Sequence, residues 1–322
     1  MKKIVVAVLI GMLVIQMTAF AAGNRAGSEF PSRNITMICP WAAGGGTDAI
    51  LRALSQAAER QLGVNITVEN RTGGAGAIGH AAIMNARPDG YTMGMITFEL
   101  NSLPQQGLIN FTHEDFDPLI RVNADAATLT VKADAPYNTV QEFVDYARRN
   151  PGTISIGNSA PGSVWHIGAG LLANETGIDV RHIAFEGAAP AVTALAGGHI
   201  QAVSVSLAEV RSQLEAGNVK VLGIMDERRS EIYPNIPTFI EQGFNLTYYT
   251  WRGIALPKGV DPAIRETLVR AFTAAMSDPA FVTQARNMNL NLSYLPPDEF
   301  RVFLRENFDA VTKTLQETGL LD

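Results

Sequence analysis

The stretch that decides the fold is Pro40-Trp41-Ala42-Ala43-Gly44-Gly45-Gly46-Thr47-Asp48, which lies between a strand-like run and a helix-like run. One strand later, the chain has a second glycine-rich stretch in the same position, Arg71-Thr72-Gly73-Gly74-Ala75-Gly76-Ala77-Ile78-Gly79. Glycine lets the backbone approach a ligand closely. The helix N-terminus that follows offers unpaired N–H groups and partial positive charge. The two loops therefore predict one small anion, a carboxylate or a phosphate, held between them.

The first residues of the chain predict export. Lys2 and Lys3 precede an apolar run over residues 4–15, which is shorter than the roughly 20 residues that span a bilayer. Ala19-Phe20-Ala21 fits the small-residue rule for cleavage before the next residue. We therefore expect a signal peptide over residues 1–21, a flexible segment over residues 22–33 and a periplasmic mature protein.

Composition favours a large globular protein and argues against several classes of site. The chain has 322 residues, 47% of them hydrophobic, which is enough for two domains. Its net charge of −6 and the lack of a basic stripe argue against nucleic acid. The histidines lack metal-ligand spacing, so we expect no metal. Residues 74–79 spell G-x-G-x-x-G, but they follow the second strand of the block rather than the first, so we expect no nucleotide cofactor.

Strand-like and helix-like runs alternate in two blocks, over residues 35–96 and 127–224, before a mainly helical tail. Such alternation is typical of parallel sheets flanked by helices. We expect an α/β fold of two lobes with mixed or parallel sheets, joined by a hinge that closes over a cleft. Lobe one would comprise residues 34–124 and 251–322, and lobe two residues 125–250.

Local signals predict several element ends and buried side chains. Thr47 or Asp48 should cap the first helix, and Ser163 and Asp261 should cap two later helices. The single cysteine, Cys39, ends an apolar run and should be buried. The last helix should bury one face, which consists of Phe300, Leu304, Phe308, Val311 and Leu315.

Segments along nearly the whole mature chain resemble the receptors of tripartite tricarboxylate transporters, also called Bug receptors. They lie at residues 40–48, 68–79, 87–92, 115–119, 162–166, 186–191, 195–198, 236–243 and 251–257. The resemblance implies a type II periplasmic-binding-protein fold. It also implies a soluble, monomeric receptor that captures a small organic acid in the cleft between its lobes and delivers it to a membrane permease.

The resemblance also implies which residues contact the ligand. In lobe one they are Trp41, Gly44, Gly45, Gly46, Thr47, Asp48, Gly74, Ala75 and Gly76. In lobe two they are Ser159, Gly162, Ser163 and His166. Ser204 and Ser206, at the mouth of a later strand, are further candidates.

Two residues depart from the family pattern. Glu186 stands where the family often has a lysine or an arginine, and Gln201 where it often has an aspartate. A carboxylate at Glu186 near the cleft would repel a second carboxylate on the ligand or attract an ammonium group. We therefore include Glu186 among the candidate contacts.

Two other functions remain open, an exported enzyme that acts on a small carboxylate and a receptor that presents its closed form to a sensor protein. Ser163 and His166 are three residues apart and would be neighbours on one helical turn, as a nucleophile and its base could be. The candidate loops nevertheless consist mostly of glycine, alanine and serine, without an acid–base group beside a nucleophile. We therefore predict no catalytic residues.

Overall fold

The computed structural model describes residues 30–317, 319 and 321. The predicted signal peptide and residues 22–29 of the predicted flexible segment lie outside these residues. The strands are β1 (Ile35–Cys39), β2 (Ile66–Asn70), β3 (Thr92–Thr97), β4 (Phe116–Lys132), β5 (Ile154–Asn158), β6 (Val180–Ala184), β7 (Ala202–Ser206), β8 (Val219–Ile224), β9 (Tyr249–Pro257) and β10 (Leu292–Leu295).

The α-helices mostly alternate with these strands up to β9, and three more follow β9, with β10 before the last of them. They are α1 (Gly46–Leu62), α2 (Ala77–Met84), α3 (Glu99–Ser102), α4 (Val140–Arg149), α5 (Val164–Thr176), α6 (Ala188–Ala196), α7 (Leu207–Glu215), α8 (Pro262–Met276), α9 (Pro279–Asn287) and α10 (Pro297–Glu317). Short 3₁₀ helices lie at His113–Asp115 and Ile240–Gln242.

The long strand β4 joins two groups of strands. Residues 116–126 pair antiparallel with β9, whereas residues 127–132 pair antiparallel with β7 and β8. In the first group, β1 is parallel to β2 and β3, and β3 is antiparallel to β9. In the second, β5 is parallel to β6 and β7. The predicted mixed α/β fold is confirmed, with strand order β2-β1-β3-β9-β4-β7-β5-β6.

The predicted helix caps have different outcomes. Ser163 caps α5 and Asp261 caps α8, because each side chain accepts a hydrogen bond from a first-turn N–H group. The prediction for α1 is wrong: the cap is Gly45 in an extended conformation, and α1 begins at Gly46. Asp48 lies in the first turn instead, where a carboxylate is also stabilised by the helix dipole.

The predicted core positions are largely confirmed. Cys39 is buried, and burial raises the pKa of its thiol to about 12. On α10, Phe308 is only half-buried, whereas the other four residues of the predicted face are buried. The Trp251 ring on β9 meets the Phe300 ring edge-on at 5.7 Å, so α10 packs against β9 through aromatic contacts.

Gly253 on β9 allows α10 to pack this closely. A Cβ atom on Gly253 would lie 2.3 Å from Phe300 Cζ and 2.8 Å from the carbonyl oxygen of Ile120. Overpacking of this kind costs about 1–3 kcal/mol. We expect Gly253→Ala to lower the free energy of unfolding by that amount in urea denaturation.

The matched control for this prediction is Gly45→Ala. Its Cβ would have a single neighbour, the Ala42 carbonyl oxygen, at 3.4 Å. We expect this variant to change stability by less than about 1 kcal/mol. Equal losses in the two variants would contradict the packing argument.

Candidate ligand-binding site

A small cavity lies where the first glycine loop meets the ends of several strands and helices. Its volume is about 20 Å³, which is room for about one water molecule. It is lined by Trp41, Ala42, Gly45, Gly46, Thr47, Thr97, Glu99, Ser159, Val164, Trp165, Gly187, Ala188, Glu209, Thr250 and Arg252.

Arg252 of β9 is the cation of this cavity, and only 2% of the residue is exposed. Its Nε donates to Thr47 Oγ1 at 2.8 Å, and its Nη1 donates to Asp125 Oδ2 at 2.6 Å. Its Nη2 lies 3.3 Å from Glu209 Oε1. A guanidinium has five N–H donors. Three of them bind described residues, and the other two have no partner among those residues.

The carboxylates that pair with Arg252 are themselves buried. Burial raises the pKa of Glu209 and that of Asp125, and the nearby Arg252 opposes the shift in both. Glu209 also closes a capping box at the start of α7, since its Oε2 accepts from the Ser206 N–H at 2.9 Å. Asp125 Oδ1 accepts from the Asn291 N–H at 2.8 Å. The buried charges thus connect α1, β4, α7 and β9.

Glu99 is a second acidic residue on the cavity wall, and it is 1% exposed. Its Oε1 accepts from the Val164 N–H at 3.0 Å, and its Oε2 accepts from the Thr97 hydroxyl. Burial raises the pKa of Glu99, and these hydrogen bonds oppose the shift. The protein therefore places its own carboxyl group at the N-terminus of α5, close to where we expected the ligand.

The first glycine loop divides into two parts. Gly45, Gly46 and Thr47 line the cavity together with Trp41. Within the part of the chain that the structure describes, the N–H groups of Gly46 and Thr47 have no hydrogen-bond acceptor. These two amides are therefore available to a ligand.

Gly44 and Asp48 instead hold the loop in shape. The Gly44 N–H donates to Asp48 Oδ2 at 3.0 Å, so it is not available to a ligand. The Asp48 carboxylate also binds Arg52 and Asn70. These internal bonds explain why neither residue lines the cavity.

Gly46 lies directly against the charged pair. A Cβ atom on Gly46 would lie 3.1 Å from Arg252 Nη2 and 3.2 Å from Glu209 Cγ. Both contacts are tight, so a side chain at this position would press on the pair.

The second glycine loop borders a different, wider cavity of about 670 Å³. Gly74, Ala75 and Glu186 are among its walls, which also include Ala77, Leu103, Leu108, Ala160, Pro161, Ala184, Phe185 and Pro190. Gly76 lines neither cavity: its Cα faces the side chains of Trp41 and His80. The two glycine loops therefore border two cavities rather than one.

Ser159 is the one predicted residue of the second block that lines the small cavity. Ser163 donates its hydroxyl to the Ala160 carbonyl at 2.7 Å, and His166 Nδ1 accepts from the Gly162 N–H at 3.0 Å. Burial lowers the pKa of His166 to about 4, so its ring is neutral at pH 7. Gly162, Ser163 and His166 line neither cavity, and the bond between Ser163 and His166 involves the backbone N–H of His166.

The two later serine candidates also lie away from both cavities. Ser204 is fully buried, and its hydroxyl has no hydrogen-bond partner among the described residues. The Ser206 hydroxyl donates to Glu209 Oε2 within the capping box. Ser206 therefore positions Glu209 and has no contact with the cavity of its own.

Sequence reasoning missed the charged residues of the site, although some signals were present. Arg252 is the single charge in the apolar strand Tyr249–Pro257, and a buried charge needs partners. Ser206-Leu207-Ala208-Glu209 has the spacing of a capping box, which predicts α7 and places Glu209 in its first turn. We found no sequence signal that pairs Glu99 with the start of α5.

None of the helices within residues 30–317, 319 and 321 is both long enough and apolar enough to cross a bilayer. No group of three or more His, Cys, Asp or Glu side chains in the same residues is arranged to hold a metal ion.

Comparison with known proteins identifies the family. Residues 50–320 match the sequence model of a protein family, the tripartite tricarboxylate transporter family receptor. The chain belongs to this receptor family. One relative of the receptor is the UPF0065 protein in the gbd 5' region of Cupriavidus necator, which is 30% identical over 91% of this chain and 89% of the relative.

Solved structures share the fold of the receptor. A ligand-free TctC solute-binding protein from Polaromonas is 37% identical, with a TM-score of 0.65 over 89% of this chain and 99% of the other. Rhodopseudomonas palustris Rpa4515 with adipate has a TM-score of 0.87 and covers 90% and 99%. MatC of the same organism with malate has a TM-score of 0.83 and covers 89% and 100%. Both are 23% identical to the receptor. The predicted periplasmic-binding-protein fold is confirmed.

The raised pKa of Glu99 predicts a pH dependence of stability. The folded protein holds the Glu99 proton more tightly than the unfolded chain does, because the ordinary pKa of this side chain is near 4.5. The stability that this group contributes is present below that pH and is lost as the pH rises through the folded-state pKa.

Glu99→Gln tests this dependence, because glutamine keeps an acceptor for the Val164 N–H and carries no charge. Its stability relative to wild type should therefore increase as the pH rises above 4.5, and parallel urea-denaturation profiles would contradict this.

Proposed function

We propose that this receptor captures a small organic acid in the periplasm and delivers it to the membrane permease of a tripartite tricarboxylate-type transporter. The observation that carries the proposal is the first glycine loop beside Arg252. Gly46 and Thr47, whose amides have no acceptor among the described residues, line the same small cavity as Arg252, which has two N–H donors without a partner there. Such donors suit a carboxylate.

The relatives support the chemical class of the ligand. Rpa4515 is bound to adipate and MatC to malate, and both ligands are carboxylates. A hydrogen bond to a charged group contributes about 1.5–3 kcal/mol. Four or five such bonds, less the free-energy cost of association and closure, give a binding free energy of about −8 kcal/mol. This value corresponds to a dissociation constant near micromolar.

We propose that the ligand enters by separation of two lobes, residues 34–124 with 251–322 and residues 125–250. Several contacts join the proposed lobes: Glu99 binds the Val164 N–H, Arg252 pairs with Glu209, and the Ser102 hydroxyl donates to the Gly162 carbonyl at 2.9 Å. A cavity of about 20 Å³ is too small for a four-carbon acid, so the contacts must loosen for binding. Hinge motion is the usual way in which two-lobed binding proteins do this.

The structural comparison supports a hinge as well. The ligand-free Polaromonas protein is more similar in sequence than Rpa4515 with adipate, yet its TM-score is lower, 0.65 against 0.87. A different opening of two otherwise similar lobes produces such a pattern. We therefore propose that the receptor structure corresponds to a closed form.

We propose binding without catalysis. The hydroxyl of Ser163 donates to a backbone carbonyl, and the His166 ring accepts from a backbone N–H, so the two side chains do not form a nucleophile and its base. The carboxyl groups of Glu99 and Glu209 are likewise bound within the protein. A transport receptor needs only a site that binds and releases its ligand.

The proposal is tested by calorimetric titration of the mature protein with mono-, di- and tricarboxylates, amino acids and the matching neutral amides. We expect at least one acid to bind near micromolar and its uncharged amide to bind at least tenfold more weakly. If no acid binds, or if the amides bind as tightly as the acids, the proposal is wrong.

Gly46→Ala tests the position of the site. We expect this substitution to lower the affinity for the acid at least tenfold, because the new Cβ would press on Arg252 and Glu209. Gly197→Ala is the matched control, since Gly197 is exposed and a Cβ there would meet mainly the side chain of His199. Unchanged affinity in Gly46→Ala, with the control also unchanged, would place the ligand elsewhere.

A further inference from the structure

Acidic side chains outnumber basic ones around the two cavities. Glu99, Glu209 and Arg252 line the small cavity, and Glu186 lines the wider one. Asp125 lies behind Arg252 and is its shortest ionic contact, at 2.6 Å. One cation therefore faces several acidic side chains. A ligand that brought two negative charges would find at most one positive partner among the side chains that line the cavities.

The Arg252–Glu209 contact is the loosest of the bonds that hold the guanidinium. Its Nη2–Oε1 distance is 3.3 Å, whereas charge-assisted bonds of this type are usually about 2.7–2.9 Å. Asp125 and Thr47 keep the guanidinium in place without Glu209. Glu209 Oε1 could therefore accept a hydrogen bond from another cation without releasing Arg252 from its position.

We propose that the ligand of this receptor carries an ammonium group as well as a carboxylate, and that Arg252 binds the carboxylate and Glu209 the ammonium group. This inference rests on the proposed function and narrows it to amino acids and related zwitterions. Gly46 places this side of the pair against the first glycine loop, since a Cβ there would lie 3.1 Å from Arg252 Nη2 and 3.3 Å from Glu209 Oε1. Once the proposed lobes separate, a small zwitterion could reach both partners from that side.

The physical reason is pairing of buried charge. A buried ion is costly unless it has a partner of opposite charge. A carboxylate on the ligand finds Arg252 and the amides of Gly46 and Thr47. Glu209 shares Arg252 with Asp125, and its own contact is the longer one, 3.3 Å against 2.6 Å, so an ammonium group on the ligand would give Glu209 a second charge partner. A second carboxylate in place of the ammonium group would instead face Glu209, or Glu186 at the wider cavity.

The test compares pairs of acids that differ only by an amino group, by calorimetric titration at pH 7. The pairs are L-aspartate with succinate, L-glutamate with glutarate, and L-alanine with propionate. We expect the amino acid to bind at least tenfold more tightly than its partner in at least one pair. This comparison uses the wild-type protein and does not depend on the folding of any variant.

Glu209→Gln tests the assignment of the ammonium site. Glutamine can keep the capping box with Ser206, so α7 should remain intact. We expect the variant to bind the amino acid of a pair at least tenfold more weakly than wild type does. The acid without an amino group should bind as before or more tightly. Glu227→Gln removes one negative charge from an exposed position and should leave both affinities unchanged.

Each outcome leads to a separate conclusion. If the dicarboxylates bind and the amino acids bind more weakly in every pair, this inference is overturned, although the proposed function stands. If the ratio within a pair is the same in wild type and Glu209→Gln, the assignment to Glu209 is overturned. If no acid of any kind binds, the proposed function fails, and this inference fails with it.

Discussion

The arrangement of the site depends on one buried cation, Arg252. A guanidinium that is 2% exposed requires partners, and it finds them in Asp125 of β4, Glu209 of α7 and Thr47 of α1. Removal of one partner from a buried ion pair commonly costs 3–5 kcal/mol, because it leaves an uncompensated charge. The positions of these elements are therefore coupled through a single side chain.

The same principle explains the two places where a ligand was expected and the protein supplies its own group. Asp48 takes the Gly44 amide, and Glu99 takes the Val164 amide at the start of α5. Both carboxyl groups use the N–H groups of a loop or helix start, which are attractive to any anion. Among the described residues, the amides of Gly46 and Thr47 are not taken in this way, and they remain available for a ligand at the small cavity.

Much of the fold could be predicted because its signals are local. The two blocks predicted over residues 35–96 and 127–224 contain β1 and β2 and β5 to β8, with helices between them. The first half of β4 was missed, since Pro118 and the charged residues near it obscure the strand pattern. Site residues were harder to predict. A glycine-rich loop can be recognised from the sequence as a place with accessible backbone N–H groups. The partners of Arg252, in contrast, are up to 205 residues away in sequence and meet it only in the folded chain.

A crystal structure of the receptor with its tightest-binding acid would show whether Arg252 binds the ligand. We expect a ligand carboxylate oxygen within hydrogen-bond distance of the Arg252 guanidinium, with the amides of Gly46 or Thr47 also donating to the ligand. An acid bound away from Arg252, with the guanidinium still held only by its protein partners, would show that Arg252 is not a ligand-binding residue.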